Sequence, residues 1–394
     1  MHSRISPLQL RGGKSKGADM QAVMNGSNSM VLNQQWSSRP DDQRYLSLSE
    51  LENAVRGRKD NGYTIEAKCA ELRAVPSDSN TVTLLATDKY NNEKEMKPTN
   101  WAFGQLASYA GAPASYLRKL PAELACINLQ YGLERLTDKD ERGLILGYQN
   151  GSEQFRAMTS PTYGRIWDLE VVQAVQRVNQ DGRWQVPAAS YAHSNPKRAT
   201  TLYASDRDVF VFLCDPNTAI EAKNGQVLYR GFYVWNSEVG AATFGLATFL
   251  YNHICDNRII WGMQNHKELT IRHTGGAPER FGWEGRKYLT QYAQASAALE
   301  AERINKAIDM DLPVKHSIND KEHDKNISDW LQKRGFTSAV ASASIDRAKE
   351  EEGGVRSLWD IVQGVTAYAR GIQHTDTRVD IERKAGKLME LVAS

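Results

Sequence analysis

Up to about Gly282 the apolar positions come in short runs divided by turn residues, and beyond it they recur at i, i+3, i+4 and i+7. The early part predicts strands and helices in alternation. A short helix is predicted from Ser47 to Gly57, with Ser47 or Ser49 as its cap and Leu48, Leu51 and Val55 on one face. Strands follow over residues 63–75 and 81–86, around the turn at 76–80. Residues 99–111 read as a helix with Trp101, Phe103 and Leu106 on one stripe, and Pro121 opens a second helix as its first residue. The elbow between them resembles a helix-turn-helix in outline. The second helix lacks the exposed basic and amide residues that read a DNA groove.

Asn150-Gly151 joins strands 143–149 and 154–159 as a hairpin, and alternation sets Arg156 on the face opposite Phe155 and Ala157. Asp168 starts an amphipathic helix carrying Val171, Val172, Val175 and Val178 inward, stopped at Asp181-Gly182. Strands at 200–204 and 209–213 are linked tightly by Asp206-Arg207-Asp208. Residues 229–276 then concentrate aromatics, arginines and turn residues. They predict an aromatic strand ending at Asn236-Ser237-Glu238, a long helix of small and apolar residues capped by Asn236 or Ser237, and a second β-rich segment. Five helical stretches follow, over 288–308, 325–335, 338–350, 358–371 and 377–392. The pattern gives an α+β protein: a mixed, mainly antiparallel sheet with helices packed on it, followed by an all-helical C-terminal region. The expected division is a flexible basic arm over 1–40, an α+β core over 41–282 and the helical region over 283–394.

Composition changes this picture little. With 394 residues, 41% hydrophobic and 24% charged, the chain can bury a full core. The formal net charge of +2 means that attraction to nucleic acid must come from local clustering. The N-terminal arm sets Arg4, Arg11, Lys14, Lys16 and Arg39 against the single acid Asp19. The four cysteines show no CxxC spacing, which together with the missing secretory segment points to reduced thiols in a cytoplasm. Thr243, Thr248 and Asn252 break the longest apolar run, so no membrane span is expected.

The candidate chemistry is a basic and aromatic surface. Arg156, Arg165, Arg230, Arg258 and Arg272, with His273, fall in or beside strands and turns, and Tyr163, Trp167 and Tyr233 are interleaved with them. Single-stranded nucleic acid needs this combination, because guanidinium groups hold phosphates and aromatic faces stack on bases. Strand alternation keeps Tyr229, Phe232, Tyr233 and Trp235 from sharing one face. Arg272-His273-Thr274-Gly275-Gly276 offers charge, a hydroxyl and a close-approach turn, but matches neither a Walker loop nor a dinucleotide fingerprint. His253, Cys255, His266 and His273 fit no metal-ligand spacing, so neither a metal nor a cofactor is expected. No nucleophile–base pairing or GxSxG, HExxH or GKS/T string marks a catalyst, which leaves an enzyme the weaker reading.

Three segments resemble the phage/plasmid-like protein family, a domain of unknown function carried by bacteriophages and plasmids: WAFGQLASYAGAPASYLRKLPAELACINL, FRAMTSPTYGRIWDLEVV, and GFYVWNSEVGAATFGLATFLYNHICDNRIIW with IRHTGG. The resemblance covers roughly residues 60–310. It departs at Cys255-Asp256-Asn257-Arg258, where the family often has a shorter Asn-Gly-hydrophobic piece. It implies a mobile genetic element in a bacterial cytoplasm. The function expected in that setting is single-stranded DNA binding or annealing in recombination or replication. An anti-defence protein that holds a host defence protein, and a nucleic-acid-processing enzyme, are the alternatives. Self-association is expected through the C-terminal helices and the basic arm.

Overall fold

The computed structural model describes residues 40–136, 141–186, 200–252, 257–260, 269–315, 317–370, 372 and 375–392. The expected basic arm lies outside them. The chain is α+β, with two sheets where a single one was expected, and a helical C-terminal region.

The first sheet holds β2 (Gly62–Lys68), β3 (Arg73–Pro76), β4 (Val82–Thr87), β5 (Glu93–Pro98), β6 (Arg142–Asn150) and β7 (Ser152–Thr159), in the order β2-β6-β7-β5-β4-β3. Only β5 and β7 pair in parallel. Its core gathers Leu84, Met96, Ile145 and Phe155 under the helices α2 (Asn100–Tyr109) and α3 (Ala122–Glu134). Thr99 caps α2 by accepting from the Ala102 amide at 3.2 Å, which satisfies one of the free N–H groups of the first turn. Pro121 stands just before α3, where its missing N–H costs nothing.

The second sheet runs β1 (Arg44–Tyr45), β8 (Leu202–Ala204), β9 (Val209–Glu221), β10 (Val227–Asn236), β11 (Phe244–Asn252) and β12 (Asn257–Ile260), all antiparallel, with β13 (Leu269–Ile271) on the end of β11 near Phe244. One face is covered by α1 (Leu48–Asp60), capped at Ser47, by α4 (Asp168–Val178) and by α5 (Arg286–Gln294). Alternation divides the aromatics of β10 as expected: Phe232 enters this core, whereas Tyr233 and Trp235 join Tyr203, Phe210, Phe212 and Phe249 on the opposite face.

The predicted long helix after Ser237 is not formed. Residues 244–252 are β11, paired with β10 on one side and with β12 and β13 on the other. Both faces of this strand are buried, so it shows no alternation, and a run of small and apolar residues looks the same as a buried helix. Gly245 decides the matter sterically. It faces Trp235, and a Cβ there would lie 1.8 Å from the indole.

Beyond the sheets come α6 (Ala298–Asp309), α7 (Asp320–Gln332), α8 (Ser338–Glu352), α9 (Leu358–Arg370) and α10 (Thr375–Leu388). The single stretch expected over 288–308 is two helices, α5 and α6, divided at residues 295–297. Their core includes Ile220, Leu228 and Leu250 of the second sheet, and α9 and α10 pack on β12. The helical region is therefore packed back on the sheet. Cys69, Cys126 and Cys214 are unpaired and buried, and burial pushes the first two thiols up to about 11. Among the described residues no helix is long and apolar enough to cross a membrane.

Candidate functional site at the junction of the two sheets

The loop between β10 and β11, residues 237–243, is where the two sheets meet. From α2, the Trp101 indole donates to the Val239 carbonyl at 2.9 Å, and the Gln105 amide donates to the same oxygen at 3.0 Å. Gln105 also accepts from the Met158 amide of β7 at 2.9 Å. From below, the Ser237 hydroxyl donates to the Arg207 carbonyl at 2.5 Å and accepts from the Ala241 amide at 2.8 Å. The capping chemistry read from Ser237 is thus real, but it closes a loop and not a helix.

β7 reaches the loop because of a register shift. Leu146 pairs with Ala157 and Gly147 with Phe155, so Arg156 is an extra residue on β7. A bulge of this kind re-aims side chains. As a result Ala157 packs with Leu146, Val239 and Ala241, while Phe155 stays in the first-sheet core. Arg156 does not alternate with both neighbours as simple strand geometry predicts. Its Nη1 donates to Glu238 Oε1 at 2.6 Å, with both side chains buried.

Glu238 organises the centre. Its Oε2 accepts from the Asp168 amide at 3.1 Å, so it satisfies a free N–H at the start of α4 and lies at the positive end of the helix dipole. Its carbonyl accepts from Arg165 Nη1. Asn236 donates to Asp168 Oδ1 at 2.7 Å and to the Ile166 carbonyl at 2.9 Å. The Tyr163 hydroxyl donates to the Ser237 carbonyl at 2.9 Å, and the ring stacks on His273 with centroids 5.0 Å apart.

Burial and the neighbouring Glu238 carboxylate hold the Asp168 carboxyl well above the usual carboxylate range, against the pull of the Asn236 hydrogen bond, Arg58 and Arg156. Burial pushes His273 down to about 4, so its ring is neutral near pH 7. The folded chain therefore keeps the Asp168 proton at pH values where the unfolded chain has released it. The stability it contributes is complete below the ordinary aspartate value, about pH 4, and is lost as pH rises through the raised folded value. Asp168→Asn, always neutral and able to accept from Asn236, is expected to be at least as stable as the natural chain at pH 7. It should also show a flatter rise in stability on acidification from pH 7 toward pH 4. Urea unfolding at several pH values checks this; a less stable variant with an unchanged pH profile would show Asp168 ionised.

The structure brings Arg156, Arg165, Tyr163, Trp167 and His273 together at this junction, with the exposed Arg272 beside His273. Three other candidates are elsewhere. Arg230 is fully buried: Nε lies 3.1 Å from Glu300, and the guanidinium donates to the Ala295 and Tyr292 carbonyls at 2.7 and 2.8 Å. Tyr233 is enclosed by Phe210, Trp235 and Phe249 at centroid distances of 5.8, 5.5 and 6.1 Å. Arg258 pairs through its backbone with Tyr251 on β12, and its side chain lies outside the described residues. The sequence reading treated arginines as solvent-facing by default. In this structure Arg156, Arg165 and Arg230 are buried, so Arg156 and Arg230 serve as internal ties and have no free surface to offer a phosphate.

Arg207, another arginine of the expected basic surface, and Lys59, which the sequence does not single out, complete the site. Arg207 lies over Trp101 with its guanidinium carbon 4.8 Å from the ring centroid, and Lys59 Nζ lies 5.5 Å from that of Trp167. Arg165 stands over both Tyr163 and Trp167, at 5.4 and 5.6 Å. Trp101 and Trp167 are both half-buried against the cluster of Leu146, Ala157, Val239 and Ala241. Arg165 Nη2, Arg207 Nε and His273 Nε2 are buried and find no hydrogen-bond partner among the described residues. The available signal was Glu238, an acid placed between an aromatic strand and an apolar run, which demanded a cation from another segment. Among the described residues no three His, Cys, Asp or Glu side chains cluster as metal ligands. No protein-family model, curated protein or solved structure matches the chain.

Proposed function

We propose that the protein binds single-stranded nucleic acid at the junction of its two sheets, in the recombination or replication of a phage or plasmid. The observation that carries this reading is the alternation of cations and half-buried rings about the 237–243 loop: Lys59, Trp167, Arg165 and Tyr163 in one group, and Arg207 on Trp101. The charges of Lys59, Arg165 and Arg207 beside these rings would attract the phosphate backbone. Trp101 and Trp167 provide faces for bases.

A filter-binding titration with a single-stranded oligothymidylate at two salt concentrations tests the proposal. Micromolar or tighter binding that weakens with salt is expected. Trp167→Ala is expected to lose about tenfold in affinity, from the roughly 1–3 kcal/mol that one stacked base contributes, with Trp167→Phe intermediate. Arg207→Gln should weaken binding and lower the salt slope by about one. Absence of binding at low salt, with one host protein retained on the immobilised chain, would instead support the anti-defence reading.

A further inference from the structure

Residues 277–294 form one continuous helix, in which Ala277–Arg280 leads through a single π turn, Phe281–Gly285, into α5. Its inner face, Ala277, Phe281, Tyr288, Leu289 and Tyr292, is buried in the core of the second sheet. In the π turn the Phe281 ring packs edge-on against Phe244, with centroids 4.9 Å apart. Gly285 makes room for it, because a Cβ there would lie 2.7 Å from the Phe281 ring. On the outer side the same turn presents Trp283, which is 80% exposed. Such turns are rare and occur frequently at functional sites. Gly282, next to this tryptophan, has no packing reason: a Cβ there would meet nothing within 4 Å, and its backbone is helical. A glycine inside a helix is less stable than alanine, and what it provides here is an open surface beside the indole.

This helix starts at the junction of the two sheets. The Gly164 amide donates to the His273 carbonyl at 3.1 Å, and a Cβ at Gly164 would lie 1.7 Å from the Thr274 carbonyl oxygen. The turn carrying Tyr163 and Arg165 therefore rests on the residues that lead into Ala277. Trp283 follows six residues later, no more than about 9 Å along the helix. Arg272 before the helix and Lys287 one turn beyond Trp283 are exposed, and Arg286 is half-buried over the Phe281 ring at 5.5 Å. The acids on this side are Glu279 and Glu284, and Glu284 is held by Arg280 at 2.9 Å, so cations are in excess. We propose, as an extension that rests on the junction reading, that Trp283 is a further stacking ring for the single strand, which leaves the junction past Arg272 and lays a base on the indole. An isolated ring among charged side chains suits this occupant. A base needs one open aromatic face and a cation near its phosphate. A protein partner would need a packed surround for the same ring, whereas the outer side of the helix offers Glu279, Arg280, Glu284, Lys287 and Gln291, all exposed.

Binding of the full chain to an oligothymidylate of about twenty nucleotides, long enough to pass both groups of rings, tests this. Trp283→Ala should bind about tenfold more weakly with an unchanged salt slope, and Trp283→Leu equally weakly, while Trp283→Tyr stays within about threefold of the natural chain. All three should melt at the temperature of the natural chain, because the side chain is exposed. Lys287→Gln should lower the salt slope by about one. Gly282→Leu, which fills the space beside the ring, should weaken binding without lowering the melting temperature. A strand carrying 5-iodouracil should photo-crosslink to the peptide that contains Trp283. If the natural chain binds, Trp283→Ala binds equally well and that crosslink is missing, the extension is overturned and the junction reading stands. If the natural chain fails to bind at low salt, the junction reading falls and the extension falls with it. A Trp283→Ala chain that keeps its affinity for the strand but no longer retains a host protein also overturns the extension.

Discussion

Replacing Arg230 by alanine is expected to cost about 3–5 kcal/mol of folding stability, the usual penalty for leaving one member of a buried ion pair without its partner. Arg230 has no solvent exposure, and its whole guanidinium is committed. It pairs with Glu300 of α6, lies 4.3 Å from the centroid of the Tyr292 ring, and donates to the Tyr292 and Ala295 carbonyls where α5 ends. The last carbonyls of a helix lack partners within it and form its negative end, so this cation serves as a C-terminal cap supplied by another element. Tyr292 returns the tie by donating its hydroxyl to the Gly231 carbonyl at 2.9 Å. Urea unfolding measures the effect. Arg230→Met/Glu300→Leu, which removes both charges, should recover a substantial part of the loss. An Arg230→Ala protein with the unfolding midpoint of the natural chain and no affinity for single-stranded DNA would return Arg230 to a binding surface.

Glu238→Ala is expected to cost a similar amount, about 3–5 kcal/mol, for two reasons acting together. Arg156 would be left buried and unpaired, and the first amide of α4 would lose its acceptor. Glu238→Gln should cost distinctly less, because the amide oxygen still accepts a hydrogen bond at the same place. Because Trp101 and Trp167 both pack on this loop, the loss should also appear as a change in tryptophan fluorescence before global unfolding. Equal stability of Glu238→Ala and the natural chain would refute the tie between the sheets. The Arg156→Ala/Glu238→Ala pair gives the coupling directly, as the departure from additivity of two residues in contact.

Much of the local structure was legible in particular residues. Ser47, one of the two caps expected for α1, does cap it, Asn150-Gly151 turns its hairpin, and the valines of α4 face inward. These features depend on contacts within a few positions, and the side chains concerned have few alternatives. The candidate site was legible in part. Tyr163, Arg165, Trp167 and His273 were singled out from one turn and one distant strand end, and they do come together. Arg156 was singled out too, but its partner was missed, because the bulge that turns it toward Glu238 arises from pairing with β6 and leaves no mark on β7 itself.

Residues 244–252 show where the sequence stops. The run Phe-Gly-Leu-Ala-Thr-Phe-Leu-Tyr-Asn has the composition of a small-residue helix and of a strand buried on both faces, and period alone does not separate them. Neighbours decide: Trp235 needs the space that Gly245 leaves, and β10, β12 and β13 supply the hydrogen bonds. The same holds for the arginines. By itself the sequence determined the α+β class, the helical C-terminal region, the principal caps and turns, and the presence of cations among aromatic residues, all of which follow from local propensity and period. Only the tertiary structure decided that there are two sheets, that the helical region packs back on the second, and which cations are buried ties and which lie against aromatic rings. Burial and ion pairing depend on residues 60 to 110 positions apart in the chain, such as Arg230 with Glu300 or Gly164 with His273, and no local pattern encodes those distances.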